Sequence, residues 1–149
     1  MRNPARQPHE QSPRIVPGIH RAAADETEQT SDISLIKAIS QGSTNAFAVL
    51  YDRTSNAVRA ELAALSPEAG RRNEVLAASY LEVWWLAGCH PAPGPELDVL
   101  LWIIGVVRRR IAETRAATGG TPAGRVRPSH AELELATLLQ RPVTSLGGK

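Results

Sequence analysis

A single cysteine, Cys89, stands in the 149 residues of this chain. No disulfide can form within it, which fits a reducing compartment. Aromatic residues are scarce as well, at 4%, so aliphatic side chains have to fill most of any core. Long apolar runs are missing. The longest, Val99 to Val107, is half of the roughly 20 residues a membrane-spanning helix needs. The opening residues, MRNPARQPHEQSPR, lack the apolar stretch of a signal peptide. These absences predict a cytoplasmic protein with no membrane partner. Cys89 and His90 are neighbours, but a metal site needs three or more ligands, there is no second cysteine, and His9, His20 and His130 lie in the tails. No nucleophile elbow or phosphate loop is legible, and nothing supplies the third group that would orient a Cys-His pair. The sequence predicts no metal, no cofactor and no enzyme.

Hydrophobic residues make up 42% of the chain and charged residues 21%, enough for a globular core. The net charge of +2 says nothing about partners, but the make-up of the basic set does: fifteen of its seventeen members are arginine. Arginine meets phosphate with a planar fork of donors.

Residues 1–31 read as a disordered tail. Pro4, Pro8, Pro13 and Pro17 break any helix, charges of opposite sign cancel, and few large apolar residues are available to bury. Residues 119–149 read as a second flexible tail, carrying one short helix near 129–140 in which Ser129 caps and Glu132 answers it. The domain between, residues 32–118, is predicted to be an all-α bundle of about four helices. The first is capped by Asp32, turns Ile33, Ile36 and Ile39 to one side, and ends at Gly42. The second starts near Ser43 or Thr44 and carries Phe47, Leu50, Tyr51, Thr54, Val58, Leu62 and Leu65 at helical spacing. In the third, Ser66 caps, Pro67 fills the first turn, and Val75, Leu76, Tyr80, Val83 and Trp84 form the stripe. Trp85 leaves that stripe, so it is expected either at the surface, where tryptophan favours a partner, or packed under a tail.

After the loop AGCHPAPGP, a fourth helix runs from about Pro95 to Thr118. Leu97, Leu100, Leu101, Ile104, Val107 and Ile111 are expected to form its buried face. The apolar half then gives way to Arg108, Arg109, Arg110 and Arg115. Such cations serve either as a solvated helix end complementing the negative pole of the dipole or as phosphate ligands.

Three segments in order carry a family resemblance. In DISLIKAISQGSTNAFAVLYDRT the residues are Asp32, Leu35, Ile36, Gly42, Ala46, Phe47, Leu50, Tyr51 and Arg53. In NEVLAASYLEVWW they are Glu74, Tyr80, Leu81, Val83 and Trp84. In WIIGVVRRRIAETR they are Trp102, Ile103, Val106, Arg108 and, loosely, Glu113 and Arg115. Over about residues 32–118 the chain resembles the second conserved region of the extracytoplasmic-function sigma factors, in the sigma-70 family of RNA polymerase sigma factors. The helix-turn-helix domain that follows in that family is expected to be absent.

The resemblance implies a transcription-initiation protein that binds core RNA polymerase and the promoter −10 element. Arg108, Arg109, Arg110 and Arg115 would hold DNA, with Arg71 and Arg72 assisting. The polymerase or partner contact would fall on Asn73, Glu74, Ala77, Ala78 and Trp85. Where the family shows a run of acidic and amide residues, this helix has Asn73, Glu74, Ala77 and Ala78. Two rivals remain open. One is a protein-interaction module on a sigma-like scaffold, a regulator or decoy without promoter recognition, whose partner would be an anti-sigma protein or another sigma domain. The other is a folded bundle without activity.

Overall fold

The computed structural model describes residues 31–66, 68–89, 96–117 and 127–146. Among these residues the protein is all-α, as the sequence predicts: helices α1 (Asp32–Ser40), α2 (Thr44–Leu65), α3 (Ala69–Cys89), α4 (Val99–Ala117) and α5 (His130–Leu138), then one 3-10 turn (Val143–Ser145). The N-terminal tail before Ser31 and the loop at 90–95 lie outside the described residues, as do Pro67 and positions 118–126.

Local chemistry sets the helix ends. Ser31, not Asp32, caps α1: its side chain accepts from the Ser34 N–H at 3.2 Å, and Asp32 sits in the first turn, favourable to the dipole. Gly42 closes α1 with a φ of +86°, a left-handed conformation that glycine adopts without strain. Ser43 then caps α2 through the Ala46 N–H. Ser66, expected to cap α3, instead ends α2, its N–H bonding to the Leu62 carbonyl, and α3 begins at Ala69. Asp98 accepts from the Leu101 N–H at 3.0 Å, so α4 starts at Val99 rather than near Pro95. The Ser129–Glu132 capping box forms as expected.

Helix α3 is the centre of the bundle, and α1, α2, α4 and α5 all pack on it. Its buried residues, Val75, Leu76, Ala77, Tyr80, Leu81, Val83 and Ala87, face more than one side. On α2 the predicted positions Phe47, Leu50, Tyr51, Thr54, Val58 and Leu62 are buried, and Leu65, at the helix end, is half-buried. The few aromatics meet edge to face: Phe47 lies 5.3 Å from Trp84 and 6.4 Å from Tyr80, and Tyr51 lies 4.7 Å from Tyr80. Thr54 donates to the Leu50 carbonyl at 2.8 Å, so its oxygen accepts from the Tyr80 hydroxyl at 2.7 Å. Burial pushes the Tyr80 phenol far above the usual tyrosine range, which keeps it neutral.

The expected buried face of α4 holds at Val107 and Ile111 but is rotated in the first half of the helix. Val99, Ile103, Val106, Val107 and Ile111 are buried, while Leu101 is 65% exposed. The first two turns of α4 are apolar on every side, so periodicity could not orient them.

The ordered domain also extends past residue 118. Instead of lying in a flexible tail, Leu135, Ala136, Leu139 and Leu146 join the core, with Leu135 at 0% exposure. Polar contacts tie this segment to α2. Arg141 pairs with both carboxylate oxygens of Asp52, at 2.5 and 2.7 Å, and Arg59 donates to the Leu146 carbonyl at 2.5 Å and to the Tyr51 hydroxyl at 2.9 Å. The hydrogen bonds from Arg141 hold the Asp52 carboxyl below its ordinary value, and partial burial opposes them.

Two outcomes follow from this packing. Leu135→Ala removes a fully buried side chain and should cost about 2–5 kcal/mol, read as a lower midpoint in urea unfolding; a flexible tail would leave the midpoint unchanged. Because Asp52 is more acidic folded than unfolded, the Asp52–Arg141 pair stabilises fully above about pH 4 and is lost as pH falls through the lowered native value. The pair is half-exposed and worth about 0.2–1 kcal/mol. The gap in Tm between the wild type and Asp52→Asn should therefore be open at pH 6 and close below about pH 4.

Candidate nucleic-acid interface

The arginines of α4 lie on the last half of a helix whose first half is held in the core. That anchoring fixes where they emerge, and the structure shows what they meet. The Arg108 Nε donates to the Glu61 carboxylate of α2 at 2.7 Å. Arg109 and Arg110 converge on Glu82 of α3, the second at 2.7 Å through its Nε. Arg109 also approaches Glu113, one turn on, at 3.8 Å. Arg115 donates to the carbonyl of Leu65, the last residue of α2.

Three carboxylates thus stand against three of the four guanidiniums, and a backbone carbonyl meets the fourth. The pairs lie 27, 28 and 47 residues apart in sequence, and neither Glu61 nor Glu82 has a local pattern that marks it. The arginines are therefore partly structural: they bolt α4 to α2 and α3. They also remain accessible, with Arg108 at 64% exposure. A guanidinium carries five N–H donors, and one bond to a carboxylate leaves most of them for another acceptor.

The exposed face of α4 runs Leu101, Gly105, Arg108, Ala112, at spacings of four, three and four residues. A Cβ placed on Gly105 would meet nothing within 4 Å. The protein's own packing does not require that glycine, although a glycine in mid-helix costs about 0.5–1 kcal/mol against alanine. It leaves a bare saddle between Leu101 and Arg108 where a ligand can approach the helix backbone.

The residues expected to meet the polymerase divide. Ala77 is 1% exposed and belongs to the core. Its position on α3 adjoins buried Leu81, and with five packed helices no surface is left there for a partner. Glu74, Ala78 and Trp85 instead line an open groove of about 650 Å³, with Ala131 and Glu134 of α5 on its other bank. Trp85 is 63% exposed, as its departure from the stripe predicts. Asn73 is half-buried and is not among the residues that line the groove. Arg71 and Arg72 lie in the first turn of α3, where Arg71 pairs with Glu68 at 3.2 Å. Cys89 is an exposed free thiol. Among the described residues, no helix is long and apolar enough to cross a membrane.

No family model matches the chain, and no solved structure matches it. One curated relative is the ECF RNA polymerase sigma factor SigK of Mycobacterium ulcerans (strain Agy99), 32% identical over 89 residues. The match covers 59% of this chain and 46% of that protein, so the chain spans less than half of its relative's length. The similarity supports a distant relation to the sigma-70 family.

Proposed function

We propose that the chain is a sigma-factor-like transcription-initiation protein, working in the cytoplasm as a binding protein and not as an enzyme. Helix α4 meets promoter DNA at the −10 element, and the groove along α3 meets core RNA polymerase. The observation that carries this reading is the 89-residue match to a sigma factor. The arginine end of α4 supports it, because its guanidiniums are accessible although paired. DNA phosphates would compete with Glu61 and Glu82 for them, so association exchanges one anion for another. Contacts of this kind give affinity and orientation but little sequence choice.

A second reading keeps the scaffold and drops the promoter. In it the chain is a protein-interaction module whose partner, an anti-sigma protein or another sigma domain, sits in the groove. The internal charge matching of the arginines and the exposure of Trp85 favour it.

Pull-down of core RNA polymerase by the tagged full chain, at low and at moderate salt, decides between the two. Capture is expected; no capture under either condition removes the sigma mechanism and leaves the interaction module. On DNA, substitutions on the two sides of the ion pairs should act in opposite directions. Changing Arg108, Arg109 and Arg110 together to alanine should weaken binding at every sequence and flatten its salt dependence. Glu82→Gln removes the charge that two arginines share, and should strengthen binding a few-fold at low salt. Fluorescence anisotropy with labelled oligonucleotides reads both.

A further inference from the structure

Arg115 differs from the other three arginines of its helix. Its partner at Leu65 is a carbonyl and not a carboxylate, so no formal charge offsets it there. It borders a notch of about 110 Å³ where α2 ends, α3 begins and α4 ends. The apolar floor includes Val75 and Ile111, and the polar lip is made of Ser66, Glu68, Arg71, Thr114 and Arg115. Glu68 is the one carboxylate of the lip. It pairs with Arg71 at 3.2 Å. The first turn of α3, a helix of 21 residues, opens beside it, but α2 and α4 end there too, so the helix dipoles add no net positive field and the arginine side chains alone supply the positive charge. Ser66 is buried and contributes a hydroxyl at the rim.

We infer that this notch seats one phosphate of a nucleic-acid backbone, gripped by Arg115 and Arg71; the inference rests on the DNA reading of α4 and adds a contact to it. Two cations around a small recess suit a tetrahedral oxyanion, and arginine forks offer it paired donors. The placement favours a polymer over free phosphate. Arg108 and Arg115 are seven residues apart, about 10 Å along the helix, close enough for one strand to touch both. A backbone lying along α4 would touch Arg108, pass the Gly105 saddle at one end and enter the notch at the other. Glu68 is half-exposed and can swing away as the phosphate arrives.

The test uses the full chain and a mixed-sequence single-stranded oligonucleotide, with Arg71→Gln and Arg115→Gln as separate variants. Each should lower affinity several-fold at low salt for all sequences and reduce the salt slope by about one. Arg115→Lys should keep the slope, since it keeps the charge. If Arg115→Gln fails to fold, Arg71→Gln carries the test, as its partner Glu68 is a near neighbour on the surface. Inorganic phosphate alone, titrated against the labelled chain by NMR, should shift the amide signals at Ser66 and Arg71 at millimolar concentration. Unchanged affinity and slope in Arg71→Gln, with a loss in the variant lacking Arg108, Arg109 and Arg110, would overturn the seat and leave the DNA reading standing. Absence of DNA binding by the wild type would overturn both, and phosphate shifts in that case would mark a free-anion site instead.

Discussion

Helix α3 carries apolar side chains on more sides than one neighbour can cover. Val83 and Tyr80 face the aromatic cluster of α2, Glu82 meets the arginines of α4, and Ala77 and Leu81 are buried as well. Such a helix is stable in water only when it is surrounded. The other four helices supply that cover, and each is held in place by what it buries against α3. This constraint accounts for the most consequential feature of the fold, the recruitment of residues 130–146. Without α5, part of the surface of α3 would face solvent with small and apolar side chains.

Polar chemistry completes the C-terminal attachment. Arg59 bridges the Tyr51 hydroxyl and the Leu146 carbonyl, so a backbone group near the end of the described chain is satisfied by a side chain of α2. Its guanidinium also lies 5.9 Å from the Tyr51 ring centre, within range of a cation–π attraction. Burial raises the Tyr51 phenol above its ordinary value, with the neighbouring Arg59 opposing the shift. The hydroxyl therefore stays protonated and can accept from Arg59 throughout the neutral range.

The same frame governs the charged surface. Because α4 is clamped between α2 and α3, its arginines emerge next to carboxylates on both neighbours. Glu61 and Glu82 act as internal stand-ins for the anion that the arginines would meet outside. They keep the side chains extended and ordered, which lowers the entropy a ligand must remove, and they also compete with that ligand. The balance between ordering and competition distinguishes Arg108, Arg109 and Arg110 from Arg115, whose neutral partner orders it without competing.

Local sequence determined where helices begin, end and repeat. Ser43, Gly42 and the Ser129–Glu132 box act within three or four residues, and the spacing of Phe47 to Leu62 sets one buried face on α2 by geometry alone. The caps at Ser31 and Asp98 obey the same rule within a few residues of the expected helix starts, whereas Ser66, expected to cap α3, closes α2. The aromatic departure of Trp85 was legible for the same reason. Only the tertiary structure decided the rest. Leu101 and Ile103 are equally apolar, and which one faces the core depends on where α2 and α3 lie. Ala77 is as small and neutral as Ala78, yet one is buried and the other lines a groove. Leu135 sits in a segment bounded by glycine and proline, and its burial depends on a surface of α3 more than fifty residues earlier. The partners of the arginines were hidden for the same physical reason: an ion pair requires closeness in space, and residues 27 to 47 positions apart become neighbours only when the bundle closes.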